Sequence, residues 1–228
     1  MIKIIFLPAL YHPPVIHAVL FLINTGKLII MKIDIDTLLA WGAAYKKVSA
    51  GEIIFKEGTQ SSFYYQLVTG KVRWVNINDD GKEFLQFVIE PDECFGELAL
   101  FDNEPFAATA IADEDSVIIR LHNSSFTQLL KENPELHFEF SRLLTQRLRF
   151  KFLILKELAN HHPENSISTL LKYFKETKQN ICCKCYKLKL TRQQIADMTG
   201  LRVETVIRTM KTMQLKGVLQ INKGKVYC

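Results

Sequence analysis

Between residues 46 and 122 the apolar positions come in short runs at 52–55, 63–68, 72–77, 84–89 and 117–121. Turn-forming pairs and triplets separate them: Ala50-Gly51, Glu57-Gly58, Thr69-Gly70, Asp79-Asp80-Gly81 and Glu90-Pro91-Asp92. Runs of this length with such punctuation predict strands, and Asp80-Gly81 predicts a tight hairpin. Several short strands at close spacing predict a sandwich or jelly-roll barrel. From Ser124 the period becomes helical. A short helix over 125–131 stops at Asn133-Pro134, and a long one runs from Pro134 to about Asn160. In it Leu136, Phe140, Leu144, Leu148, Phe152, Leu155 and Ala159 recur at three- or four-residue steps. Such a helix is about 40 Å long at 1.5 Å per residue, more than one small domain covers. The stripe Phe140, Leu144, Leu148, Phe152 and Leu155 is therefore expected to pair with a second copy as a coiled coil. Packing on the barrel is the other use of the pattern, and different faces can serve both.

His161-His162-Pro163 breaks that helix and reads as a hinge. The two histidines read as exposed hinge residues, with a ligand or pH-sensing role as the alternative. A further helix turns Ile167, Leu170, Leu171 and Phe174 inward, and 181–190 reads as a strand pair or one long strand. Over 191–211 the chain reads TRQQIADMTGLRVETVIRTMK. Thr191 can cap a helix, and Gln194, three residues on, can complete a capping box. Gly200 stands where the chain must turn through positive φ. A second helix follows from about Arg202, with Val206 and Met210 as its buried stripe, although Thr209 packs less well than an apolar residue. Ala196-x-x-x-Gly200 with an apolar residue six positions later is the helix-turn-helix pattern. A plain helical hairpin is the structural alternative. The end, GVLQINKGKVYC, reads as a β-hairpin turning at 222–225, which makes the unit a winged helix.

Charge favours the DNA reading. Residues 181–228 hold ten Lys and Arg against Asp197 and Glu204, a net of +8, which leaves −3 for residues 1–180 of a chain at +5. A basic C-terminal unit on a slightly acidic body is the footprint of a nucleic-acid module. Of five cysteines, Cys182, Cys183 and Cys185 crowd together while Cys94 and Cys228 stand apart. This is no secreted disulfide framework, so reduced thiols and a cytoplasmic setting are expected. C-C-x-C alone is a weak metal signal, and plain strand cysteines are preferred, with no metal site assigned. Residues 1–30 contain no Asp or Glu, and their longest apolar run, 18–23, is far short of a membrane span. The functional protein is expected to start near Met31, with 1–30 an atypical extension; a membrane-associating tail is the competing reading. No paired carboxylates, nucleophile motif or P-loop is found, so no catalytic residue and no enzyme activity is expected.

The strand barrel, the run GELALFDNEPFAATA at 96–110, the long helix, the run LTRQQIADMTGLRVETVIR and their order together resemble the Crp–Fnr family of bacterial transcription regulators. The resemblance covers about residues 46–228. It implies an α+β chain: a β-roll of the cyclic-nucleotide-binding type over 31–132, a dimerisation helix over 133–160 and a winged helix-turn-helix over 161–228. It also implies a homodimer on an inverted-repeat operator, with RNA polymerase as a further partner. The effector pocket would be built from Gly96, Glu97, Leu98, Phe106, Ala107, Lys151 and Phe152. Family members that bind cyclic AMP carry an Arg-Ser pair where this chain has Phe106 and Ala107. Their adenine-receiving hydroxyl pair aligns with Lys151 and Phe152. Losing the guanidinium removes a charge-assisted phosphate contact, so cyclic AMP is not expected as effector. An iron–sulfur cluster is not expected either, because such sensors use N-terminal cysteines and the first here is Cys94. Haem, a small apolar effector or none at all stay open.

DNA contact is expected from Thr191, Arg192, Arg202, Val203, Glu204, Thr205, Arg208 and Lys211. Glu204 and Arg208, at i and i+4, share a face of the second helix. The resemblance places them on the family's base-reading positions. Arg208 would donate to guanine and Glu204 would accept from cytosine, fitting a TGA-like half-site core, while Val203 could touch a thymine methyl. A cyclic-nucleotide-binding-like signalling module without DNA readout is the alternative; it predicts no reading head.

Overall fold

The computed structural model describes residues 31–228, so the expectations for 1–30 lie outside the described residues. Met31 and Ile33 are buried in the first core, beside Leu38 of helix α1 (Ile35–Ala40). Asp34 caps α1 by accepting from the Thr37 amide at 3.2 Å. Eight strands follow: β1 (Ala44–Val48), β2 (Ile53–Phe55), β3 (Phe63–Thr69), β4 (Val72–Ile77), β5 (Glu83–Ile89), β6 (Cys94–Phe95), β7 (Thr109–Ala112) and β8 (Ser116–His122). They form two antiparallel four-stranded sheets in the orders β1-β8-β3-β6 and β2-β7-β4-β5. This is the expected β-roll. The expected hairpin joins β4 to β5, with Gly81 at φ 76°.

The second sheet is covered on both faces. Val72, Trp74, Ala110 and Ala112 face the interior of the roll. Val75, Leu85, Val88 and Ile111 share a core with the helices and the C-terminal unit. Burial on both sides explains why these strands read as near-continuous apolar runs rather than alternating ones.

The helices α2 (Leu98–Phe101), α3 (Asn123–Glu132) and α4 (Pro134–Asn160) complete the first part of the molecule. Pro134 opens α4, where its missing N–H costs nothing. His161 closes α4 in the left-handed region, at φ 52°, and α5 (Pro163–Thr177) departs from it. Ile167, Leu170, Leu171 and Phe174 of α5 are buried as expected. Then come α6 (Arg192–Thr199), α7 (Val203–Leu215) and the hairpin β9 (Gln220–Asn222) and β10 (Lys225–Tyr227). The segment 181–190 is no long strand. Single bridges join Ile181 to Leu188 and Lys187 to Tyr227, and the three crowded cysteines sit in or beside the turn between them rather than in a strand.

Candidate nucleic-acid interface and effector-type pocket

Thr191 and Gln194 close a full capping box on α6: the Gln194 amide donates to Thr191 Oγ1 at 3.1 Å, and the Thr191 amide donates to Gln194 Oε1 at 3.0 Å. Two of the amides that a helix start leaves unpaired are thereby satisfied. Gly200 ends α6 at φ 67°, the conformation that admits glycine without strain. The chain re-enters helix at α7 with Arg202 at its cap position. Val206, Met210 and Met213 are fully buried against α5 and α6. Their burial fixes which face of α7 looks outward: Glu204, Arg208 and Lys211 are exposed, as are Arg202 and Thr191, whereas Arg192, Val203 and Thr205 are half-buried.

Gln194 also tethers the unit to the β-roll, its Nε2 donating to Asp113 Oδ2 at 3.1 Å. Asp113 is shared with Arg73, whose Nη1 donates to it at 2.7 Å. Lys189 pairs with Glu90 at 2.5 Å, and Gln179 Nε2 donates to Glu93 Oε1 at 3.0 Å. These contacts engage the segment before α6, and α6 itself, and leave the outer face of α7 clear.

Inside the β-roll, Phe106 is buried and stacks on Phe55, with ring centroids 3.8 Å apart and planes 12° from parallel. Phe55 also packs on Tyr65 and Phe95, at 5.4 and 5.9 Å between centroids. Gly96, at φ 74°, passes so close that a Cβ there would lie 2.8 Å from the Phe55 ring. Ala107 is exposed, as is Leu98. Glu97 is fully buried. Its Oε1 accepts from Arg147 Nη1 of α4, and its Oε2 has no partner among the described residues. Arg147 also donates to the Cys94 carbonyl at 2.8 Å and lies over the rings of Phe87 and Trp74, at 5.2 and 5.7 Å from their centroids. A cavity of about 20 Å³ borders Arg147, Glu93, Tyr173 and Gln179, enough for a water molecule. Lys151, one turn along α4, donates from Nζ to the Gln86 carbonyl at 3.1 Å and to Gln86 Oε1. Burial, and then the neighbouring charge of Arg147, pull its ammonium from the ordinary 10.5 down to about 7.

Residues 45–133 match the family model of the cyclic nucleotide-binding domain, and residues 167–227 match that of the Crp-like helix-turn-helix domain. The chain belongs to the Crp–Fnr family. The cyclic AMP receptor protein of Thermus thermophilus is 27% identical over 177 residues, covering 77% of this chain and 79% of that protein. The anaerobic regulatory protein of Bacillus subtilis is 26% identical over 200 residues, covering 85% and 83%. The structure of FixK2 from Bradyrhizobium japonicum superposes with a TM-score of 0.69 at 20% identity, over 81% of this chain and 91% of that one. Crp–Fnr proteins are transcription regulators rather than enzymes. No helix among the described residues is long and apolar enough to cross a membrane.

Two sets of expected Crp–Fnr site residues need correction. Phe140 does not belong to an outward seam: it is fully buried, with its ring 5.5 Å from Phe126 and 6.3 Å from Tyr64 in the subunit's own core. Leu144 is half-buried. Four-residue steps advance about 40° around a helix of 3.6 residues per turn, so Phe140 and Phe152 point about 120° apart. Phe152 likewise does not line the pocket of its own subunit, being 62% exposed, while Lys151 points inward. Sequence reading missed Arg147, the partner of Glu97, and the aromatic cluster of Phe55, Tyr65 and Phe95 that packs around Phe106. Arg147 is one of several basic residues on an amphipathic helix, and its partner Glu97 lies fifty positions away. No local pattern links the two.

Proposed function

We propose that this Crp–Fnr protein is a cytoplasmic, homodimeric, sequence-specific DNA-binding transcription regulator whose β-roll does not take cyclic AMP. The observation that carries the reading is the outer face of α7. Glu204 and Arg208 stand exposed one turn apart, with Lys211 behind them, on a helix whose other face is locked into the core. An acceptor and a bidentate donor so placed suit cytosine and guanine edges in a major groove, and the basic flanks suit phosphates. Thr191, Arg192, Arg202 and Thr205 are the proposed backbone contacts, and Val203 the proposed contact to a thymine methyl.

The dimer is proposed to form along α4. Leu148, Phe152 and Leu155 are 54%, 62% and 58% exposed, and Phe138 is 61% exposed. Phe138, Thr145, Phe152 and Ala159 fall seven residues apart, with Ser141, Leu148 and Leu155 interleaved, which is a coiled-coil seam. Five of these seven positions are apolar, interrupted by Ser141 and Thr145; an exposed apolar stripe calls for a partner, and a second copy supplies an identical one. RNA polymerase is the proposed partner of the DNA-bound dimer.

The reading on cyclic AMP rests on Phe106, which stacks in the roll where relatives place an arginine. Losing a charge-assisted bond of about 1.5–3 kcal/mol weakens binding tenfold to a hundredfold. Calorimetry is expected to show no micromolar affinity for cyclic AMP. Selection of bound DNA from a random pool tests the function itself. It is expected to return inverted repeats with TGA-like half-sites, two turns' worth of contacts bound by one dimer. Recovery of no enriched sequence would favour a signalling module without DNA readout.

A further inference from the structure

The turn between α5 and α6 carries chemistry that DNA binding does not use. The Tyr186 amide donates to the Cys182 carbonyl at 2.9 Å, and the Cys182 amide donates to the Lys187 carbonyl at 2.8 Å. Tyr186 closes the turn at φ 56°. A single helical turn of this kind places residues i and i+3 side by side. Here those residues are Cys182 and Cys185. Polar groups of this turn, the Cys185 amide first, then the Cys185 thiol and the Lys184 amide, lower the Cys182 thiol from its ordinary value. The turn therefore sets these two side chains next to each other. Cys182 is half-buried and Cys185 exposed, so small oxidants reach both. The turn is anchored from outside: the Cys228 amide donates to the Tyr186 carbonyl at 3.1 Å, and the Leu188 amide to Val226 at 2.9 Å. Among the described residues no group of three or more His, Cys, Asp or Glu could hold a metal ion.

We propose that Cys182 and Cys185 form a reversible dithiol–disulfide site oxidised by hydroperoxides. The Cys182 thiolate attacks the terminal oxygen of the hydroperoxide, and the O–O bond breaks. The sulfur becomes a sulfenic acid, and the alkoxide or hydroxide leaves and takes up a proton as alcohol or water. The Cys185 sulfur then attacks the Cys182 sulfur. An S–S bond forms, the S–O bond breaks, and the hydroxyl leaves with the Cys185 proton as water. Two thiols are oxidised and one peroxide is reduced. Cys182 is the attacking residue because the hydrogen bonds from Cys185, first its amide and then its thiol, hold the Cys182 thiol down from the ordinary 9.0 to about 7. A thiol poised near ambient pH is the best attacking group. Cys185 is the resolving residue, placed within reach before oxidation starts. The site stands on the turn alone and does not depend on how the protein binds DNA.

The test uses reduced full-length protein, stoichiometric hydrogen peroxide, alkylation of the remaining thiols, and trypsin. Lys184 lies between the two cysteines, so cleavage separates residues 179–184 from 185–187 unless a disulfide holds them. The joined species is expected in the wild type and in Cys183→Ser. It should fall by about tenfold or more in Cys182→Ser and Cys185→Ser, and return to free thiols with dithiothreitol. Circular dichroism of each variant checks that the fold is kept. Alkylation of Cys182 should also accelerate with pH through a midpoint near 7. Four results would overturn the proposal: no joined species, a joined species that survives Cys182→Ser, linkage mainly to Cys228, or irreversible oxidation in place of a disulfide.

Discussion

Glu97 lies fully buried with one carboxylate oxygen unpartnered among the described residues, and Arg147 is the cation paired with the other oxygen. Removing one partner of a buried ion pair leaves the other charged in a medium that cannot solvate it, which costs about 3–5 kcal/mol. Arg147→Met is expected to lose that much stability in urea unfolding. A loss under about 1 kcal/mol would contradict a compensating role for Arg147. Lys151, nearby, couples the same region to pH. Its ammonium is held at about 7 in the fold, against about 10.4 in an unfolded chain. Between these values the unfolded chain keeps a proton that the folded one has released. Stability therefore rises with pH across the window and is lost as pH falls toward 7. Thermal midpoints between pH 7 and pH 10 should climb more steeply for the wild type than for Lys151→Met. Equal slopes would contradict the assignment.

At the scale of elements, the proposed dimer has α4 serve two partners with two faces, and its variants should separate. Phe140→Ala empties a site in the subunit's own core and is expected to cost about 3–5 kcal/mol of stability while leaving self-association intact. Leu148→Glu puts a charge on the exposed stripe and is expected to give monomers in sedimentation without loss of fold. A monomeric wild type at micromolar concentration would contradict the seam. The extent of α4, the capping box at Thr191, the turn at Gly200 and the final hairpin were all legible in the sequence, because each is written in local chemistry. The face of α4 that turns inward was not, because a step of three or four residues fits both faces and only the distant aromatic partners choose. Three strands escaped notice for related reasons. β1 is an edge strand with two lysines and little burial, β6 has two residues, and β7 is four residues, two of them alanine, all buried. None carries an alternating pattern to find. The cysteine turn was read as strand because cysteines and apolar residues alternating with lysines do not announce a left-handed tyrosine.

For the whole molecule, the basic C-terminal unit was visible from charge alone, and the family's two domain models cover it and the β-roll. How the two units meet was not visible. Gln194, Lys189 and Gln179 each reach a carboxylate of the β-roll across a long stretch of chain. Together they brace the segment before α6 and α6 itself and leave α7 free to meet DNA. In the proposed complex one exposed face of α7 reads the bases, and a surface ion pair between Glu204 and Arg208 is the plain alternative, contributing a few tenths of a kcal/mol to the helix. Base-by-base competition binding with Arg208→Ala separates the two. As a base reader, Arg208 should carry about 1–3 kcal/mol of operator affinity, and its loss should relax discrimination at one base pair in each half-site while leaving the others strict. Discrimination unchanged at every base pair would contradict the assignment of α7 as the reading helix.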